Sequence, residues 1–170
     1  DLLQFLLKEG ANIELEGPQG ITPLIMAILV SDHVHGHEGS HSASNHEHET
    51  GHGHQLEMVE LLLKSGADVH KKAMIGRDAI IESIRHRRED ITRILLQFGA
   101  NPKSADDNGV TCLHYAAYSG QSDICKILLT KGAKRDAVVL KGSKKGLKPI
   151  DAARDGKHRD IVSLLEKEAK

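Results

Sequence analysis

A chain of 170 residues with 39% apolar side chains can bury one elongated core, and with two Tyr, two Phe and no Trp that core is filled by Leu, Ile and Ala. No apolar run approaches the roughly 18 residues of a membrane-spanning helix and no signal peptide opens the chain, so a soluble intracellular protein of the cytoplasm or nucleus, without a membrane span, is expected. The net charge of −1 conceals a gradient: residues 1–70 carry 2 basic and 11 acidic side chains, residues 71–130 carry 9 and 7, and residues 131–170 carry 12 and 6.

The predicted elements recur. Leu2 to Gly10 is a leucine-rich helix closed by Gly10-Ala11, and Pro23 to Val30 is a second helix. After a histidine-rich segment, a helix from Leu56 to Ser65 ends at Gly66-Ala67, and the same Gly-Ala close returns at Gly99-Ala100 and Gly132-Ala133. The last three closes are 33 residues apart, whereas the first interval is 56, so one repeat carries an insertion of about 23 residues. Leu61, Leu62 and Leu63, like Ile94, Leu95 and Leu96, give each unit an apolar stripe, and Gly stops the helix by accepting a left-handed backbone. No helix pair buries its stripe alone; stacking on neighbours does so, which defines a one-dimensional array. The final helix, His158 to Lys167, has the polar outer face of a capping unit. A start at Asp1, inside a repeat and without Met, suggests a piece of a longer protein.

The most regular unit reads Thr111-Cys112-Leu113-His114-Tyr115-Ala116-Ala117, followed by Ile124 to Ala133. It resembles the ankyrin repeat, whose signature is T-P-L-H-x-A-A. The Thr22-Pro23-Leu24-Ile25-Met26-Ala27 unit lacks the His, the Asp78-Ala79-Ile80-Ile81-Glu82-Ser83 unit lacks Thr, Pro and His, and Lys148-Pro149-Ile150-Asp151-Ala152-Ala153 keeps Pro and Ala. The resemblance covers almost all of the chain outside the insertion. It implies an all-α solenoid of stacked helix-turn-helix units joined by hairpin-like loops, with residues 1–170 forming one array of about four repeats and an N-terminal partial one. It also implies that His114 is structural, bonded to Thr111 and to backbone groups. Asp78, in the Thr position, can still cap its helix, although this degenerate repeat is expected to be the weak link.

Binding in such arrays uses loop tips and the concave face of the first helices. Carried over residue by residue, the resemblance places Met26, Leu29, Arg77, Glu82, Arg85, His86, Tyr115, Tyr118 and Ser119 there, with Ala152 and Asp155 at the far end. Both tyrosines of the chain fall in this set, and Tyr and Arg are enriched at interface hot spots.

The insertion, residues 31–54, holds His33, His35, His37, His41, His46, His48, His52 and His54, without Lys or Arg and nearly without apolar residues. A flexible loop is expected, since little burial offsets its ordering entropy. Its His-x-His pairs suit weak Zn, Ni or Cu(II) binding through His33, His35, His37, His46, His48, His52 and His54; a spacer or a proton-sensing loop are the other readings. Apart from such a weakly held Zn or Ni, no cofactor is expected. Cys112 and Cys125 lack C-x-x-C spacing and read as small core residues.

A protein-interaction scaffold leads, with another protein as partner and a monomer favoured. A metal-binding regulatory module is the alternative, resting wholly on the insertion. Lys141, Lys144, Lys145 and Lys148 raise nucleic acid as a third reading, but the aromatic interleaving of a single-strand binder is missing. No enzyme is expected, since neither a nucleophile-base set nor a phosphate-cradling Gly loop is visible.

Overall fold

The computed structural model describes residues 2–30 and 52–166. Helix α1 (Leu2–Lys8) is followed by four helix pairs: α2 (Pro23–Leu29) with α3 (His52–Lys64), α4 (Ala79–Arg85) with α5 (Glu89–Gln97), α6 (Cys112–Tyr118) with α7 (Ser122–Thr130), and α8 (Pro149–Asp155) with α9 (Arg159–Glu166). The first helices stack in sequence order, α2 on α4 on α6 on α8, while α3 meets α5 and α7 meets α9. The core runs through the stack as one cluster of Leu, Ile and Ala, with Leu24, Ile28, Ile80, Ile84, Leu113, Ala117 and Ala153 from the first helices and Leu62, Leu95, Leu128 and Ile161 from the second.

Local chemistry starts each first helix. Thr22 and Thr111 accept hydrogen bonds from the amides of Ile25 and His114, and Pro23 and Pro149 occupy a position whose N–H would be unpaired in any case. Asp78 caps the third-residue amide of α4, that of Ile81, as its place in the repeat implies. Burial raises its carboxyl above the ordinary range, while the Ser104 hydroxyl, which donates to it, opposes the rise.

The connecting loops are hairpin-like. Strands β1 (Lys72–Ala73) and β2 (Arg77–Asp78) pair antiparallel, and Ala105 bridges Thr111 one repeat later. Loop tips are tied in series: Met74 N–H donates to Gln19 C=O (3.1 Å), Asp107 N–H to Ile75 C=O (3.1 Å) and Leu140 N–H to Asn108 C=O (2.7 Å). Gly109 allows the last of these approaches, with φ of +81° and space for a Cβ only 3.0 Å from the Leu140 amide nitrogen.

Helix α3 begins at His52, ahead of the Leu56 expected from sequence. Its first turn is held by Gln55, whose amide nitrogen donates to the carbonyls of Ala27 (2.7 Å) and Val30 (2.7 Å) at the end of α2. That bond places the two flanks of the insertion side by side. Residues 31–51 lie outside the described residues, and with them His33, His35, His37, His41, His46 and His48.

The degenerate repeat sits mid-stack, and Ala79 to Ile84 are all buried. Ile81 fills the place of the signature His with apolar volume, and the Ser83 and Thr92 hydroxyls, 2.8 Å apart, share their two protons between one another and the carbonyls of Ile80 and Arg88. Helix α1 has no buried residue. On burial, against the expectation from the lost signature residues, amides of α4 and α5 should exchange slowest and those of α1 fastest, because opening free energy follows local burial. Hydrogen exchange read by mass spectrometry checks this; faster exchange in α4 and α5 than in α6 and α7 would contradict it.

Candidate functional site

The inner face is built from equivalent positions of the first helices. Met26, Glu82, Tyr115 and Ala152 occupy the x position of the motif, and Leu29, Arg85, Tyr118 and Asp155 lie three residues on, one helical turn away and on the same side.

At the centre is a charge cluster around Glu82. Its carboxylate is 2% exposed and is met by Arg77 Nε at 3.2 Å, Arg85 Nη1 at 2.7 Å and His86 Nε2 at 3.7 Å. Arg77 is itself buried and also donates to Met74 C=O (3.1 Å). Glu82 is thus an internal counter-ion for Arg77 and Arg85, and Arg85 and His86 are the exposed members of the cluster. The Arg85 guanidinium lies 6.0 Å from the centroid of the Tyr115 ring, at cation–π range. Tyr115 is half-buried, and its hydroxyl donates to Asp106 Oδ2 (2.8 Å). Burial and that acceptor both push its phenol far above its usual range, so it stays a neutral donor.

Tyr118 extends the surface and is 52% exposed, with Lys144 Nζ 4.9 Å above its ring. Its carbonyl accepts from His158 Nε2 (3.1 Å), and the carbonyl of Ser119 accepts from Arg87 Nη1 (2.6 Å), so the end of α6 is tied to both neighbouring repeats. The structure therefore brings Arg77, Glu82, Arg85, His86 and Tyr115 into one cluster, continued by Tyr118 and Ser119. Met26 and Leu29 lie on α2; Met26 is exposed beside Val30 and Met58 in a separate apolar groove.

His114 is structural. Thr111 N–H donates to Nδ1 (3.2 Å), which makes Nδ1 an acceptor and leaves Nε2–H to donate to Leu147 C=O (3.1 Å) on the next loop. Both cysteines are buried and free, and burial pushes the Cys125 thiol up to about 12. Of the seven histidines read as metal ligands, only His52 and His54 are described. Both lie in the first turn of α3, and the other five lie outside the described residues. Among the described residues no group of three or more His, Cys, Asp or Glu side chains is placed to hold a metal ion.

Sequence reasoning missed one element of the site. Caps Asp78 and Thr111 are 33 residues apart, but Thr111 and Lys148 are 37 apart, so the loop before α8 holds four extra residues. That loop folds toward Tyr118 and closes a cavity of 380 Å³, whose lining includes Asp106, Val110, Tyr115, Val139, Lys141 and Leu147. The longer spacing was the signal that could have found it.

A stack of helix pairs tied through hairpin-like loops defines a helical repeat array. The chain belongs to the ankyrin repeat family: the model for ankyrin repeats in three copies matches residues 48–139, more than half of the chain, and the single ankyrin repeat model matches residues 19–73. It is similar to a putative ankyrin repeat protein of fowlpox virus (27% identical over 169 residues, 97% of this chain and 43% of that protein). It is also similar to a probable E3 ubiquitin-protein ligase of Oryza sativa (38% over 78 residues, 45% and 15%) and to neurogenic locus notch homolog protein 4 of Homo sapiens (32% over 161 residues, 92% and 7%). The chain spans less than half the length of each of these relatives. Among the described residues no helix is long and apolar enough to cross a membrane.

Proposed function

We propose that this chain is a non-enzymatic protein-interaction scaffold that engages another protein through the concave face of its first helices and the adjoining loop tips. Ankyrin repeats are protein-binding modules, and the observation that carries the finer reading is the run Arg85, Tyr115, Tyr118: a guanidinium held by a buried carboxylate, beside two amphipathic rings on the next helix. Rings and guanidinium groups already fixed by internal bonds lose little entropy on contact, which favours hot-spot behaviour.

Tyr118→Ala and Arg85→Gln should each weaken a partner found for this array by about 2 kcal/mol, roughly thirtyfold. Glutamine keeps a donor for Glu82, so the fold is preserved and the loss belongs to the surface. Calorimetric titration against that partner checks it. Affinity unchanged by both substitutions would place the contact elsewhere on the array.

A further inference from the structure

We infer that the cavity between α6, α8 and the long loop before α8 is a docking site for an acidic, extended peptide carrying one apolar anchor residue. The inference deepens the inner-face reading and rests on it.

Three observations meet there. The first is shape: the cavity holds 380 Å³, a size that admits one large side chain, and its floor is apolar through Val110, Val139, Leu147 and Ala152. The second is charge. Lys141 and Lys144 stand on its rim with Lys145 and Lys148 next to them, and none of the four side chains makes an ion pair among the described residues. Two carboxylates also line the cavity. Asp106 is already committed to Tyr115 O–H (2.8 Å) and to the amides of Asn108 and Val110 (2.9 Å each). Asp155 lines the cavity from α8, an element apart from the lysine loop, and repels an acidic ligand where it stands. Acidic groups are thereby directed to the lysine side, which sets how the peptide lies.

The third observation is preorganisation. The loop is anchored across the stack by Leu140 N–H and Lys141 N–H, both donating to Asn108 C=O (2.7 and 3.1 Å), and is closed on itself by Val139 N–H to Leu147 C=O (3.0 Å) and Gly146 N–H to Val139 C=O (2.8 Å). His114 holds Leu147 from below. The lysines therefore project from a braced hairpin, so less ordering cost falls on binding. An apolar floor under a cationic rim selects a side chain flanked by carboxylates over a free inorganic anion, which would leave the floor uncovered.

Fluorescein-labelled nine-residue peptides test this by anisotropy on the whole 170-residue chain. One has Leu flanked by Glu and Asp, one has Gly in place of that Leu, and one has Lys in place of the acids; a single-stranded oligothymidylate is the competing anion. The acidic Leu peptide should bind, the Gly and Lys versions about tenfold or more weaker, with affinity falling as salt rises. Lys141→Glu with Lys144→Glu, both on the exposed loop, should weaken the acidic peptide by about tenfold. No binding, equal binding of acidic and basic peptides, indifference to the double charge reversal, or oligothymidylate binding as tightly would each overturn the inference. A protein partner lost on Tyr118→Ala but unaffected by the lysine reversal would leave the inner-face reading standing and remove this one.

Discussion

Replacing Glu82 with alanine should cost about 3–5 kcal/mol of stability, because it strands the Arg77 guanidinium, with 10% of its side chain exposed, without its counter-ion. Glu82→Gln should cost less, since an amide oxygen still accepts from Arg77 and Arg85 although the charge is gone. The double change Arg77→Leu with Glu82→Leu should recover most of the loss, as a well-packed apolar pair often matches a buried ion pair. Urea unfolding of the three variants measures the order. A Glu82→Ala midpoint equal to that of the parent would mean that water reaches Arg77 and that the cluster is not a buried one. The proposed inner-face contact is coupled to this term, since the carboxylate that neutralises Arg77 also holds Arg85 beside Tyr115.

The fold was largely legible in the sequence, because the features that carry it are local. Gly66, Gly99 and Gly132 take φ near +90° at the helix ends as their Gly-Ala context implies, and Thr111 and His114 form the reciprocal capping pair that the best repeat suggests. What escaped is non-local. Arg77, Arg85 and His86 all lie near Glu82 in the sequence, but only the packing of α4 between α2 and α6 buries its carboxylate and turns an exposed-looking acid into a buried counter-ion. Gln55 and Gln121 likewise look like surface residues, yet their amide nitrogens donate to carbonyls at the ends of α2 and α4 respectively. The weak-link expectation for the Asp78 repeat rests on its lost signature residues, and against it stand the buried Ile81 and the Ser83–Thr92 bond, which hydrogen exchange would weigh. On the inner face, Tyr118 and Arg85 lie on exposed helical turns at the positions the repeat assigns them, whereas the lysine-rimmed cavity depends on a four-residue excess that only three-dimensional closure makes meaningful.

His114 joins stability to that cavity, and its removal should show in both. Truncation to alanine leaves the Thr111 amide without its partner and takes from the Leu147 carbonyl one of its two donors, the other being Val139 N–H, at a cost of about 2 kcal/mol. It also frees the loop that carries Lys141 and Lys144, so binding of the acidic peptide should weaken in the same variant. The sign of the pH dependence follows from the imidazole. Burial, the largest influence, holds its pKa below the ordinary value of about 6.5, so the unfolded chain takes up the proton first as pH falls. The neutral ring's contribution is complete above about pH 6.5, declines as pH drops below that value, and levels off once the folded-state pKa is passed. Protonation would also set an Nδ1–H donor against the Thr111 N–H donor, which opposes charging in the folded state. Denaturant midpoints of the parent and His114→Ala chains should therefore converge on acidification. Curves that stay parallel from neutral to acid pH would show that this imidazole keeps the same proton affinity folded and unfolded, and that the bonds to Thr111 and Leu147 do not constrain it.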